Sequence, residues 1–219
     1  MSTASPAPTA TPVPIADQLG RLDALAQQIV VDAPRSANAQ SASRAIGVRW
    51  PAVRAGLVGA QADRSDLLAA DSAIKALATQ RSYNADLRRA GNVVTAAFAP
   101  LYTAAGDRVP AQLHRLDFLT RAIGLDVSAN DWVRSTRDLI SARSSWRNGR
   151  AAVVAAGGST QAHVFDGRLA AVADAVNQRD HTRSAIAVRG LDSALAAAER
   201  TITHQEPAWR RFVRAHFHV

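Results

Sequence analysis

The chain has 219 residues, 47% of them hydrophobic and 20% charged, with a formal net charge of +8 at pH 7, a composition that suits one or two compact domains rather than a disordered chain. It contains six histidines and no cysteine, which excludes disulfides, thiolate nucleophiles, iron–sulfur clusters and cysteine-ligated zinc. The positive charge comes from 25 arginines against one lysine, alongside 48 alanines, a pair of biases that GC-rich coding imposes by itself, so the charge is weak evidence for a nucleic-acid partner.

Residues 1–14 carry four of the nine prolines and no charged side chain, which predicts an extended tether. The segment lacks the basic and apolar regions of a signal peptide. Its small residues and prolines match a linker that follows a cleaved export signal or lipid anchor, and this predicts a periplasmic or extracellular location.

From Ile15 onward the pattern is helical. Leu19, Leu22, Ala26 and Ile29 recur at helical spacing. Pro51 follows Trp50, and since proline disfavours helical geometry in the preceding residue, the second helix is expected to kink or stop near Arg49. Leu87, Ala90, Val94, Phe98 and Leu101 form a further helical face. Pro110 suits a first-turn position ahead of Leu113, Leu116, Thr120 and Ile123. Ser128-Ala129-Asn130-Asp131 resembles a capping box, and Trp132, Leu139, Trp146 and Val153 recur every seven residues, predicting one helix over about 130–156. Gly157-Gly158 reads as a stop and restart before the faces Phe165–Leu169–Val172–Val176 and Leu191–Leu195–Ala198–Ile202. Strand-like alternation is absent, so the fold class is all-α. No apolar run approaches the roughly 18–20 residues that span a bilayer.

The sequence also repeats. Ile15–Leu25 returns as Val109–Leu119, sharing Gln-Leu-x-Arg-Leu-Asp-x-Leu at an offset of 94. Trp50, Arg54, Ala55, Val58 and Ala60 return as Trp146, Arg150, Ala151, Val154 and Ala156 at an offset of 96. Two matches in the same order predict a tandem duplication of an approximately four-helix unit, forming one elongated or two-lobed helical bundle. The boundaries read as a tether over 1–14, repeats over 15–106 and 107–205, and a basic aromatic tail over 206–219. Trp50 and Trp146 are expected to anchor the two cores, with each indole N–H reaching a carbonyl or water.

The repeated polar residues point to contacts. One expectation brings the first helices of the two repeats together near a pseudo-twofold axis, with Arg21 beside Asp117 and Arg115 beside Asp23. The other lines a groove for an anionic ligand with Gln18, Arg21, Gln112 and Arg115. In the tail, Trp209, Arg210, Arg211 and Arg214 sit among Phe212, Val213 and Phe217, a candidate patch for a partner, nucleic acid or an anionic membrane surface.

Catalytic patterns are lacking. There is no GxxxxGK, GxGxxG, GxSxG or HExxH, and two glutamates without a Glu-x-x-His pair exclude a four-helix di-iron centre. His163 and Asp166 have the i, i+3 spacing of two metal ligands, a weak signal, and Asp63, Asp66 and Asp71 read as caps or solvated charges. No cofactor or metal is expected. The reading is a non-enzymatic helical-bundle binding or scaffold protein of the bacterial cell envelope, exported or lipid-tethered, with a protein or small anionic ligand as partner. The alternative is a basic intracellular helical protein that binds nucleic acid or an anionic surface through its arginines and tail.

Overall fold

A computed structural model describes residues 13–32, 36–80 and 85–203. The described residues form nine helices and no strand: α1 (Ile15–Asp32), α2 (Ser36–Gly59), α3 (Arg64–Thr79), α4 (Ala85–Phe98), α5 (Leu101–Ala104), α6 (Ala111–Ser128), α7 (Trp132–Ala155), α8 (Ser159–Asn177) and α9 (His181–Thr203). None of them is long and apolar enough to cross a membrane.

Side-chain chemistry sets the helix ends. The Asp63 carboxylate caps α3 by accepting from the Ser65 N–H at 2.7 Å, and Asp131 caps α7 by accepting from the Arg134 N–H at 3.1 Å. Asp131, not Ser128, thus supplies the side-chain cap of α7. The end of α7 is closed by the Gly157-Gly158 pair. Gly157 takes φ +87°, and the Gly157 and Gly158 N–H groups donate to Val154 and Val153 at 2.9 Å each, the paired bonds that end a helix through a left-handed residue.

The second helix does not stop near Arg49. α2 continues through Pro51 to Gly59. Pro51 and the residues one turn before it, Gly47 and Val48, all lie on the exposed side. The carbonyl that loses its proline-blocked donor therefore faces water, which satisfies it, while the buried face keeps its bonds.

The helical faces pack as two rings. α1 packs on α2, α2 on α3, α3 on α4 and α4 back on α1; α6, α7, α8 and α9 close in the same order. Each ring encloses its own apolar core, one running from Leu19 to Tyr102, the other from Val109 to Ala198. Trp50 stacks on Phe98 in the first, with centroids 5.5 Å apart, and Trp146 meets Phe165 in the second at 4.1 Å. The rings touch mainly through α4 against α6, helped by the short α5.

Small residues let the axes approach. A Cβ added to Gly91 on α4 would stand 3.0 Å from the Ala26 carbonyl oxygen and 3.2 Å from Ile29 Cβ on α1, neither of which can swing away. Gly167, on the exposed side of α8, has open space around it. Gly91→Ala is therefore expected to lose about 1–3 kcal/mol and Gly167→Ala to gain about 0.5–1 kcal/mol, as read by urea unfolding of the two variants.

Candidate functional site

A three-residue polar group joins the second and third helices of each ring. Trp50 and Arg54 lie one turn apart on α2, opposite Asp71 on α3. Asp71 accepts from Trp50 Nε1 at 2.7 Å and from Arg54 Nε at 3.1 and 3.0 Å through its two oxygens. In the second ring Trp146 Nε1 donates to Asp166 Oδ1 at 2.5 Å and Arg150 Nε to Asp166 Oδ2 at 3.1 Å. Both indoles are buried, 5% and 4% exposed, so each N–H needs an acceptor. That acceptor is a carboxylate rather than a carbonyl or water, and the arginine offsets its charge.

These contacts correct two readings. Asp71 is no solvated helix charge. Asp166 is no free partner for His163, because both its oxygens are engaged and His163 is exposed. Among the described residues no three potential metal ligands gather. The two aspartates were missed because their neighbours in sequence do not repeat; the detectable signal was an aspartate 21 residues after Trp50 and 20 after Trp146.

Where the rings meet, the packing is polar and buried. Asn92 on α4 donates to the Phe118 carbonyl at 3.1 Å and accepts from Arg121 Nε at 3.1 Å. Arg121 pairs with Asp117 at 3.1 Å, and Arg89 on α4 pairs with Asp126 on α6 at 2.9 Å. Tyr102 donates to Asp23 Oδ2 at 3.3 Å and lies flat on the His114 ring, centroids 3.8 Å apart; His114 Nε2 stands 3.4 Å from Asp107 Oδ2. Gln27 also donates to Asp23 Oδ2, at 3.3 Å, while Asp23 Oδ1 is buried with no hydrogen-bond partner among the described residues.

Burial pushes the Asp23 carboxyl above its ordinary value of 3.8; Arg121 opposes the rise and Asp117 adds to it. Burial likewise raises Asp126 against the pull of Arg89. Arg121 is held above its ordinary value because Asp117 and Asp23 outweigh the cost of burying it.

The expected pairs Arg21–Asp117 and Arg115–Asp23 do not form. Asp23 and Asp117 do come near each other at the junction, around Arg121, but Arg21 and Arg115 are exposed. The reason is helical geometry: residues two apart point about 200° away from each other, so the arginine and aspartate of Arg-Leu-Asp cannot address the same neighbour.

An open groove of about 970 Å³ lies beside this junction, bounded by α3 and α4 from the first ring and α6 and α7 from the second. Gln112 and Arg115 line it; Gln18 and Arg21 do not. Gln18 instead donates to the Val13 carbonyl at 2.7 Å, and Arg21 faces outward. The four candidate contacts are thus divided. The α4 wall is small and apolar, with Val93, Ala96 and Ala97; the α3 wall sets Ala73 and Ala76 beside Asp66 and Ser72, and the α7 wall offers Ser144, Ser145 and Asn148. Trp209, Arg210, Arg211 and Arg214 lie outside the described residues.

Two outcomes follow from these contacts. Asp166→Ala leaves the buried Trp146 N–H and Arg150 without their acceptor and is expected to cost about 1–3 kcal/mol. Asp71→Ala should do the same, and because the two groups sit in separate cores their costs should add to within about 0.5 kcal/mol in the double variant, by chemical denaturation. For Asp23, the folded state keeps its proton to higher pH than the unfolded state does. Stability relative to an Asp23→Asn variant is therefore expected to fall as pH rises from 3.8 to the raised value, by up to about 1.4 kcal/mol per pH unit. Below that window the difference is constant, and a series of urea titrations across acid to neutral pH measures it. No family model, curated protein or solved structure matches this chain.

Proposed function

We propose that this chain is a non-enzymatic binding or scaffold protein of the bacterial cell envelope, exported or lipid-tethered, with the groove between its two rings as the binding face. The observation that carries the reading is that groove: an open cleft walled by helices of both rings, with Gln112 and Arg115 displayed along it. Its side chains offer recognition by shape and hydrogen bonding, and the titratable groups nearest the junction are tied into one another rather than presented to a substrate. The envelope placement rests on the proline-rich, uncharged residues 1–14.

The body is proposed to have arisen by duplication, with repeats over 15–106 and 107–205. Three repeated features support this: the shared Gln-Leu-x-Arg-Leu-Asp-x-Leu run, the same order of helix packing around each ring, and the recurring Trp–Asp–Arg group. Duplication also accounts for the groove, because two fused copies of a convex bundle leave a furrow where they meet.

Fractionation of the native host tests the reading, coupled to chromatography of the purified full chain on DNA at low salt. The expected result is full-length protein in the envelope fraction and no salt-dependent retention on DNA. Cytosolic protein that DNA retains, with affinity falling steeply as salt rises, would replace this reading with that of a basic nucleic-acid-binding protein.

A further inference from the structure

We propose that the groove between the rings is a binding site for a small amphiphilic organic anion, whose charged group sits on Arg115 and whose apolar body lies toward Phe118. This deepens the preceding proposal and rests on its choice of binding face.

The register of the walls comes from three contacts. Gly149 on α7 lies against Leu113 and Gln112 on α6, which puts Arg115 between the levels of Asn148 and Ser145. Asn92 bonds the Phe118 carbonyl and Arg89, earlier on α4, pairs with Asp126, later on α6, so α4 and α6 run antiparallel, with Val93 toward the level of Phe118 and Pro100 toward that of Ala111. α3 returns along α4, placing Ala76 at the Val93 end and Asp66 at the Pro100 end.

Three physical consequences follow. First, Arg115 is a cation with no ion-pair partner among the described residues, and it shares the groove lining with Gln112, Ser144 and Asn148, uncharged groups able to donate. A guanidinium with neighbouring amide and hydroxyl donors is a receptor for a carboxylate, sulfonate or phosphate oxygen. Secondly, the opposite wall is Ala96 and Ala97, continuing to Val93, Ala76 and Phe118, which suits an apolar chain or ring. Thirdly, Asp66 is the one carboxylate that lines the groove among the described residues. It repels an anion from the far end and so fixes the direction in which the ligand lies. The volume of about 970 Å³ falls at the upper end of the range for small-molecule sites, roughly 300–1,000 Å³. The equivalent arginine of the first ring, Arg21, is exposed and does not line the groove, and this makes it the internal control.

The test is a fluorescence titration of the full chain with 11-(dansylamino)undecanoic acid and with its methyl ester, which shares the apolar body but lacks the charge. The acid is expected to bind at one site per chain, more tightly than the ester. Arg115→Gln should weaken the acid by about tenfold or more and leave the ester unchanged. Arg21→Gln should leave both unchanged. Ala76→Phe, which fills the apolar end from an exposed position without touching a core, should weaken both. Circular dichroism confirms that each variant keeps its helices. If the acid binds Arg115→Gln as well as it binds the unaltered chain, or if Arg21→Gln weakens it equally, the proposal is overturned. Should Ala76→Phe alone reduce binding, the groove stands as a binding face while the anion reading fails. If neither probe binds, the small-ligand site is lost altogether, whereas fractionation decides the envelope placement separately.

Discussion

A carboxylate that reaches from the third helix of each ring to a tryptophan and an arginine on the second is the contact on which the architecture depends. Alanines among the core residues let the helices pack closely, while the aliphatic and aromatic side chains fill each core and the largest of them fix its register. Trp50 and Trp146 are such wedges. An indole brings a polar N–H into the core with it, and the fold accommodates it only if an acceptor comes to meet it. Asp71 and Asp166 do so, and Arg54 and Arg150 keep each carboxylate from being an uncompensated charge. One group thereby ties the rotation and height of the second helix to those of the third, beside the aliphatic contacts the two share in the core.

The junction between the rings follows a different rule. Here α4 meets α6 through Asn92, Arg89, Arg121 and Asp126, with Asp23, Tyr102 and His114 beside them. Such a seam is specific, because each polar group demands a particular partner, but it is costly wherever a partner is missing. Asp23 shows the cost: its carboxyl is buried against a second carboxylate, with one arginine serving both, and burial raises its proton affinity. The seam also decides the outer surface. With α4 and α6 in contact, α3 and α7 stand apart, and the groove is the space between them. The proposed site is thus a by-product of how the rings are joined, and Arg115 on its wall is exposed while its neighbour Asp117 is turned inward.

Much of the fold was legible in the sequence. Helical spacing alone identified residues that turn out to be fully buried, among them Leu19, Ile29, Leu113, Ile123, Phe165 and Leu191, since burial on one face of a helix leaves a period that needs no tertiary information. The end of α7 at Gly157 was equally plain, because only a left-handed residue closes a helix in that way. Pro51 misled because the rule against proline counts a lost hydrogen bond without asking whether water replaces it; on an exposed face it does.

The site was legible only in part. The sequence by itself determined the helical class, the apolar faces, and the repeated residues that could carry contacts, because these depend on local periodicity and identity. Which of the repeated residues meet was decided by tertiary structure alone. Gln112 and Arg115 border a groove while their counterparts Gln18 and Arg21 do not, and Asp71 and Asp166 reach their tryptophans across about twenty residues of chain. The physical reason is that two copies of one pattern become inequivalent as soon as they pack against each other. Each helix has one side facing its own ring and one facing outward, and only the arrangement of the rings settles which outward side faces solvent and which faces the other half.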